Sequence, residues 1–327
     1  MFPTDEVNGA ILSQRPQKTN EAAHGPAGQE KNRMHSHYMT IVEERNITLE
    51  SAMERTTKLW RTERNETARL AFLEPFRFAE RFVYHSNVMS NPLTTWRRVE
   101  TVMAARAANA AFYNISNWTD KSLWGSFDAF DLAVRMSAPD STEPFLDDVF
   151  VKRLHSVTVN DGYDNAMLAA GEYPGTFRRR DVPMPDGDFG IGAPTDDIHE
   201  LMKSLEYCTR REMNPIMQTP EDTQKAARYA LFVASKYYCQ FCAVRPFADG
   251  NGRVGRLLAT MIVMRMGFTP PILVEWKQDR YLRALRDWKN ESNPLPMLVL
   301  MEEGRRDAFD LSDIPAPDLA GREHPLR

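Results

Sequence analysis

The residues best suited to chemistry lie together in one stretch, Arg245–Arg256, with the sequence RPFADGNGRVGR. Two of its glycines, Gly250 and Gly252, let the backbone turn tightly and approach a ligand closely. The apolar run that follows predicts a buried helix ending at Gly267. A helix that starts in such a turn presents free N–H groups and a positive dipole end, so the stretch is suited to binding a phosphate.

The polar side chains of this stretch fit a polyphosphate. Arg253 and Arg256 are three residues apart, so they share one face of the first helical turn and can both bind phosphate oxygens. We expect Asn251 to cap the helix and Asp249 to hold a Mg²⁺ ion against the same oxygens. A bare Gly-Asn-Gly turn before arginines is more often a plain loop, and only the complete string favours a phosphate site.

The complete string resembles the signature of the Fic (Fido) family, His-x-Phe-x-(Asp/Glu)-Gly-Asn-Gly-Arg-x-x-Arg. Every fixed position matches except the first, where this chain has Arg245 instead of the histidine. The resemblance implies a mainly α-helical Fic fold with a short β-hairpin flap, ATP as substrate or ligand, and Mg²⁺ held by Asp249. Most members of that family move AMP from ATP to a Ser, Thr or Tyr hydroxyl.

The resemblance implies nucleotide contacts at six positions of this chain: Gly250, Asn251, Gly252, Arg253, Arg256 and Tyr281. Arg253 would hold the β-phosphate region and Arg256 the γ-phosphate. Gly252 fits the nucleotidyl-transferring members, because the phosphate-transferring members carry lysine there. Tyr281 would pack near the adenine, although a plain core tyrosine is an equally good interpretation.

Arg245 removes the proton acceptor that the family uses. The family histidine takes the proton of the target hydroxyl, whereas a guanidinium stays protonated above about pH 12. Loss of a general base typically lowers a rate by about 10²–10⁴. Arg245 adds a third positive charge beside the phosphates, which would either tighten nucleotide binding or obstruct the target hydroxyl. His85 and His155 are the histidines that the fold could bring near.

A second stretch resembles the Fic flap, which pairs with a strand of the target protein and presents its hydroxyl. Its glycines and prolines predict a β-hairpin. The positions assigned to the flap and the target are Gly175, Thr176, Phe177 and Arg178. The neighbouring Arg179 and Arg180 are better interpreted as a solvated charge run.

A third stretch, His85–Thr94, resembles the inhibitory segment Ser/Thr-x-x-x-Glu-Gly-Asn that precedes many Fic cores. The corresponding positions are Ser86, Met89, Ser90 and Asn91. The glutamate falls on Met89 if the alignment starts from Asn91, and on Ser90 if it is counted from Ser86. Neither residue can neutralise Arg256, so we expect the autoinhibition of the family to be absent. An ordinary loop is the alternative.

The whole chain limits the function classes. A net charge of −4 over 327 residues gives no electrostatic case for binding nucleic acid or an anionic membrane. Three cysteines favour a reducing compartment. The N-terminus has no apolar signal region and no run of roughly 18 apolar residues occurs, so we expect a cytoplasmic protein. The sequence does not indicate an oligomeric state.

The chain divides into four predicted parts. Residues 1–37 are a disordered leader, 38–115 a helical segment with the inhibitory-like region, 116–302 the Fic/Fido core and 303–327 a tail.

Three functions remain open. In the first, the chain binds ATP but transfers AMP poorly or not at all, and acts as a pseudoenzyme or a non-catalytic protein-interaction module. Alternatively, it is an active AMP-transferase with another base, or it carries out a different nucleotidyl or phospho-transfer. Removal of AMP from targets is disfavoured because that reaction would need the absent glutamate.

Overall fold

The computed structural model describes residues 78–91, 93–108, 117–138, 144–159, 162–182, 192–218, 223–274 and 277–310. All of them belong to one compact unit, Ser51–Arg327, and the other unit, Met1–Glu50, lies outside them. The predicted leader, 1–37, therefore concerns residues that the structure does not describe. The domain boundaries after 37, 115 and 302 remain predictions, although the last helix continues to Asp310.

Helices account for the regular structure of the described residues. In chain order the α-helices are α1 (Phe78–Val88), α2 (Trp96–Ala107), α3 (Trp118–Met136), α4 (Asp148–Val159), α5 (Asn165–Ala169), α6 (Ile198–Gln218), α7 (Thr223–Val244), α8 (Asn251–Arg265), α9 (Gln278–Glu291) and α10 (Leu295–Asp310). The mainly α fold class predicted from the sequence is confirmed. No helix in this part of the chain has the length and apolarity needed to cross a membrane.

Helix α8 is the centre of the fold. Every residue of α8 except Gly252 is buried, and α1, α3, α4 and α7 pack around it. Its sequence explains this position, because apolar residues follow one another almost all round the helix. Gly255 lets α7 come close, since a Cβ there would lie 2.9 Å from Cε2 of Tyr238. Because α8 is buried on all sides, its position in the fold is fixed, and so is the position of its first turn.

Local sequence signals explain several of the helix ends. Gly267, at φ +83°, ends α8 as predicted. Its N–H donates to the carbonyl of Met264 and the next N–H to that of Val263, which is a Schellman motif. Thr95 caps α2 through its side chain. Thr195 opens a short 3-10 helix, Thr195–Asp197, which runs directly into α6.

The predicted flap forms turns rather than a hairpin within the described residues 171–182, which contain no strand. The backbone N–H of Arg178 donates to the carbonyl oxygen of Pro246 at 2.8 Å. Gly175 adopts a left-handed conformation at φ +78°. Within the described residues, this segment therefore forms a hydrogen bond to the loop before α8 and does not pair with a second strand. Residues 183–191 lie outside the described part of the chain.

Candidate functional site

The loop between α7 and α8 is held by two left-handed residues. Arg245, which follows α7, has φ +49°, and Gly250 has φ +77°. Gly250 is the N-cap of α8 and Asn251 is its first helical residue, so the expected cap at Asn251 is wrong by one position. A Cβ at Gly250 would lie 2.6 Å from Cγ1 of Val159. Both the conformation and the packing therefore require glycine here.

Asn251 uses its side chain to fix the loop. Its Oδ1 accepts from the N–H of Phe247 at 2.9 Å, and its Nδ2 donates to the carbonyl of Phe247 at 2.7 Å. Because both polar atoms of its amide bind the backbone of Phe247, the Asn251 side chain fixes the conformation of the turn. The nucleotide contact that the resemblance implies at Asn251 remains a prediction.

The start of α8 has no side-chain cap. Gly250 provides no acceptor for the N–H groups of the first turn. These groups and the positive end of the helix dipole form an arrangement to which an anion can bind. Gly252, the least buried residue of the helix, lies in this first turn.

Arg253 is a buried cation whose hydrogen-bonding capacity is only partly used. Its side chain belongs to a residue that is 5% exposed. Nη1 donates to Oγ of Ser122 at 2.6 Å, and Nη2 lies 3.4 Å from Oδ2 of Asp249. Nε is buried without an acceptor among the described residues. Burial lowers the pKa of Arg253, and a buried donor of this kind gains most from an anionic acceptor.

Arg256 is also 5% exposed, but its donors are largely occupied. Nε donates to Oγ of Ser86 at 3.0 Å, and Nη2 donates to the carbonyl oxygen of Ser86 at 2.7 Å. The hydroxyls of Tyr238 and Ser90 lie 3.4 Å and 3.5 Å from Nη1 and Nη2, respectively. The two motif arginines therefore differ: Arg256 is tied to α1 and to the turn that follows it, whereas Arg253 keeps an unused donor.

The inhibitory-like segment is the end of α1 and a turn. Ser86 lies in the helix, and Met89 and Ser90 form the turn. Asn91 accepts from the N–H of Leu93 at 3.0 Å. The segment reaches Arg256 through Ser86 and Ser90, as the resemblance implies, but the contacting groups are neutral. The alternative of an ordinary loop does not hold for Ser86.

Asp249 combines a fixed backbone with a half-exposed carboxylate. Its N–H donates to the hydroxyl of Tyr163 at 3.2 Å, and its carbonyl oxygen accepts from Nε2 of His155 at 3.0 Å. The carboxylate is 50% exposed. No group of three or more metal-binding side chains occurs in the described residues. One accessible carboxylate beside a helix start that can bind an anion fits Mg²⁺, which keeps several waters and takes few protein ligands.

His155 joins α4, the flap segment and the loop before α8. Its Nδ1 accepts from the N–H of Gly175 at 2.8 Å, so the ring proton is on Nε2, which binds Asp249. The ring stacks on Phe247, with centroids 3.8 Å apart. Burial lowers the pKa of His155 to about 4. Both ring nitrogens are occupied, so His155 holds the site together and is not available as a proton acceptor.

Arg178 clamps the loop from the other side. Its Nε donates to the carbonyl of Arg245 at 2.7 Å, and its Nη atoms donate to the carbonyls of Arg180 and Ala193. The guanidinium also lies 3.5 Å from Asp181. Arg178 is buried, and its assignment to the flap and target remains a prediction. Sequence reasoning missed the clamp because the carbonyl oxygens that Arg178 binds at Arg245 and Ala193 are distant in the sequence.

The other predicted flap residues surround this clamp. Gly175 packs closely on α4, since a Cβ there would lie 3.1 Å from the carbonyl oxygen of Lys152. Thr176 donates its hydroxyl to the carbonyl of Tyr173. Phe177 contacts the ring of Phe247, and Nζ of Lys152 lies 4.1 Å from its centroid.

Arg245 stands beside the site as a partly buried cation. Burial lowers its pKa, and the charges of Cys242, Asp249 and Tyr281 oppose this shift. These interactions place the Arg245 guanidinium in the field of the same carboxylate that faces Arg253. Two arginines, Arg245 and Arg253, therefore act on one accessible carboxylate, and Arg256 adds a third positive charge close to Arg253.

Tyr281 forms a pair with Tyr238. Their hydroxyl oxygens are 2.7 Å apart, and burial raises the pKa of both groups. Tyr238 also accepts from Arg256. Tyr281 thus supports Arg256 through Tyr238. The sequence carried no motif that would have singled out Tyr238.

The family comparison agrees with this geometry. Residues 145–263 match the model of the Fic/DOC family. A Fido domain-containing protein of Dictyostelium discoideum is 39% identical over 64 residues, 20% of this chain and 43% of that protein. The protein adenylyltransferase Fic of Drosophila virilis is 32% identical over 152 residues, 43% of this chain and 27% of that protein. The chain spans less than half the length of these relatives.

Solved structures show the same fold. A Fic domain-containing signaling protein from Bacteroides thetaiotaomicron superposes with a TM-score of 0.59 at 17% identity, covering 83% of this chain and all but 1% of that chain (99%). Fic-1 from C. elegans superposes with a TM-score of 0.56 at 16% identity, covering 89% of this chain and 78% of that one. At these identities the likeness concerns the fold alone.

Fold, signature loop and family match together define a Fic (Fido) domain in this chain. The chain is related to the protein adenylyltransferases of that family. It departs from their signature at Arg245, where the motif begins.

Proposed function

We propose that the loop before α8 binds ATP through its phosphates, with Mg²⁺ at Asp249, and that AMP transfer is impaired. The observation that carries the proposal is the state of Arg253. Its Nε is buried without an acceptor among the described residues, next to a helix start that has no side-chain cap. A phosphate oxygen would supply the missing acceptor. The Mg²⁺ ion, when bound at Asp249, would neutralise phosphate charge.

Impaired transfer follows from the lack of a base. Transfer of AMP forms a bond between the target hydroxyl oxygen and the α-phosphorus, releases pyrophosphate and leaves one proton to be accepted. Arg245 cannot accept it, and both nitrogens of His155 are already hydrogen-bonded. Without a general base the rate should be about 10²–10⁴ lower. The chain would then act as a nucleotide-dependent binding module or as a slow enzyme.

One specific observation keeps an active enzyme as the second candidate. The Asp249 carboxylate is half exposed at the loop, so a proton acceptor exists beside the phosphate site even without histidine. In that case the flap segment around Thr176 would present a protein hydroxyl, and Asp249 would take its proton. A different nucleotide or phosphoryl donor would use the same cations.

Two measurements test the proposed function. Calorimetric titration with ATP, with and without Mg²⁺, should give Mg²⁺-dependent binding that Asp249→Asn weakens. Incubation with α-labelled ATP and a lysate should give little labelling by the native protein and more by Arg245→His. Strong labelling by the native protein that is lost in Arg253→Ala would contradict the hypothesis of a pseudoenzyme. The nucleotide reading is contradicted if the native protein binds no ATP.

A further inference from the structure

A chain of buried polar groups leads from α1 through α3 to Arg253. Nη1 of Arg253 donates to Oγ of Ser122 at 2.6 Å. The Ser122 hydroxyl in turn donates to Oδ1 of Asn87 at 3.4 Å. Each of these residues is buried, so the hydrogen bonds are shielded from water and their geometry is fixed more strongly than at a surface.

The direction of every hydrogen bond in this chain is determined. Arginine only donates, so Ser122 must accept from Arg253 and point its own proton elsewhere. Nδ2 of Asn87 donates to the carbonyl of Val83 at 2.8 Å and to Oγ of Ser126 at 3.0 Å. The amide is thereby oriented, and its oxygen is left to accept from Ser122. A reversed amide would place its oxygen against the carbonyl oxygen of Val83 and lose that bond, whereas the Ser126 hydroxyl can pair with the amide in either orientation.

We propose that Ser122 and Asn87 are positioning residues, which fix the guanidinium of Arg253 at the start of α8. The proposal rests on the proposed phosphate-binding function and names the groups that prepare it. Ser122 is the main anchor, because the other contact of Arg253, to Asp249, is long at 3.4 Å. Arg253 is a flexible side chain, so an anchor of this kind removes conformational freedom before the phosphate arrives.

The same end of α1 serves both motif arginines. Ser86 holds Arg256 directly, and its neighbour Asn87 acts on Arg253 through Ser122. The two roles are therefore separable by substitution. Changes at Ser122 or Asn87 should alter binding at the β-phosphate, where Arg253 is expected to act, and should leave ligands without a β-phosphate unaffected.

The test compares Ser122→Ala with Ser122→Thr, which keeps the hydroxyl. Affinities for ADP and AMP are measured by calorimetry, together with the melting temperature. Ser122→Ala should weaken ADP binding roughly 10- to 100-fold, the loss typical of a hydrogen bond to a charged group. AMP affinity should change less than about twofold, and Ser122→Thr should restore ADP binding. The matched control is Ser137→Ala, a buried serine that follows α3 directly and whose hydroxyl donates to the carbonyl of Ala133.

A second readout separates this proposal from the proposed function. The Nε–Hε signal of Arg253 in ¹⁵N NMR, assigned with Arg253→Lys, should be sharp in the native protein. It should shift or broaden in Ser122→Ala and in Asn87→Ala, and return in Ser122→Thr. If these signals behave so but no nucleotide binds, the positioning stands and the proposed function fails. An unchanged signal in Ser122→Ala, or equal losses of ADP and AMP affinity, would overturn the positioning proposal.

Discussion

The Nε atom of Arg178 donates a hydrogen bond to the carbonyl oxygen of Arg245, 2.7 Å away. A cation in the flap segment thus holds the backbone of the residue that departs from the family signature. The position of Arg245 is therefore maintained by its neighbours, although its side chain has changed chemistry. Because this hydrogen bond involves only the backbone of Arg245, it does not depend on whether the side chain at this position can accept a proton.

Arg178→Ala should destabilise the protein by roughly 3 kcal/mol, because it leaves several buried carbonyls without a donor. The measurement is chemical denaturation monitored by circular dichroism. Arg179→Ala is the matched control, since that side chain is exposed and should change stability by less than about 0.5 kcal/mol. Equal effects of the two variants would contradict the clamp.

His155 should make stability depend on pH. Its pKa in the folded protein, about 4, is below the value of roughly 6.5 in an unfolded chain. The unfolded state therefore binds the proton first, and stability is complete above about pH 6.5 and falls as the pH drops towards 4. The loss should approach roughly 3 kcal/mol.

This pH effect can be isolated with His155→Gln, which can both donate and accept. Unfolding free energies measured from pH 7 to pH 4 should show the extra decrease in the native protein and not in the variant. A parallel decrease in both proteins would show that His155 does not titrate in this way.

Gly250→Ala should distort the loop. An added Cβ would lie 2.6 Å from Cγ1 of Val159 at a φ of +77°, so the backbone must shift. We expect a destabilisation of about 2–3 kcal/mol and a loss of ATP binding. Gly171→Ala is the matched control: it has a similar φ of +80°, but an added Cβ would meet Nη1 of the flexible Arg179 side chain at 3.9 Å. A denaturation and titration series in which both variants behave alike would argue against a role for the close packing.

Ser90→Glu should restore a competitor for the phosphates. Oγ of Ser90 lies 3.5 Å from Nη2 of Arg256, so a carboxylate on this residue can form an ion pair with that arginine. ATP affinity should fall roughly tenfold, while AMP affinity changes little. Met89→Glu tests the other alignment of the inhibitory segment. If only Met89→Glu weakens ATP binding, the assignment based on Ser90 is wrong.

The part of the site that could be predicted lies within one local sequence motif. Gly250, Arg253 and the buried helix after them are encoded by neighbouring residues, so turn chemistry and apolar periodicity were sufficient. The cap was misplaced by one residue because Asn251 and Gly250 both suit a helix start. The side chain of Asn251 then found closer partners in the backbone of Phe247.

The supporting residues could not be predicted because they are distant in the sequence. Ser122 and Tyr238 contact the arginines of α8, and His155 contacts the loop before it, each from a different helix. A single serine or tyrosine in an apolar helix carries no signal of its own. Arg178 was assigned to the flap, but its hydrogen bonds to the end of α7 and the following loop depend on packing that the sequence does not show. Tertiary contacts decided these assignments.

The most direct test is a calorimetric titration of the native protein, Arg253→Ala and Arg256→Ala with ATP in the presence of Mg²⁺. We predict binding by the native protein and a loss of affinity of roughly tenfold or more in Arg253→Ala. The loss in Arg256→Ala should be smaller, because that guanidinium is already bound to Ser86. Unchanged affinity in Arg253→Ala, or no binding by a folded native protein, would contradict the central claim.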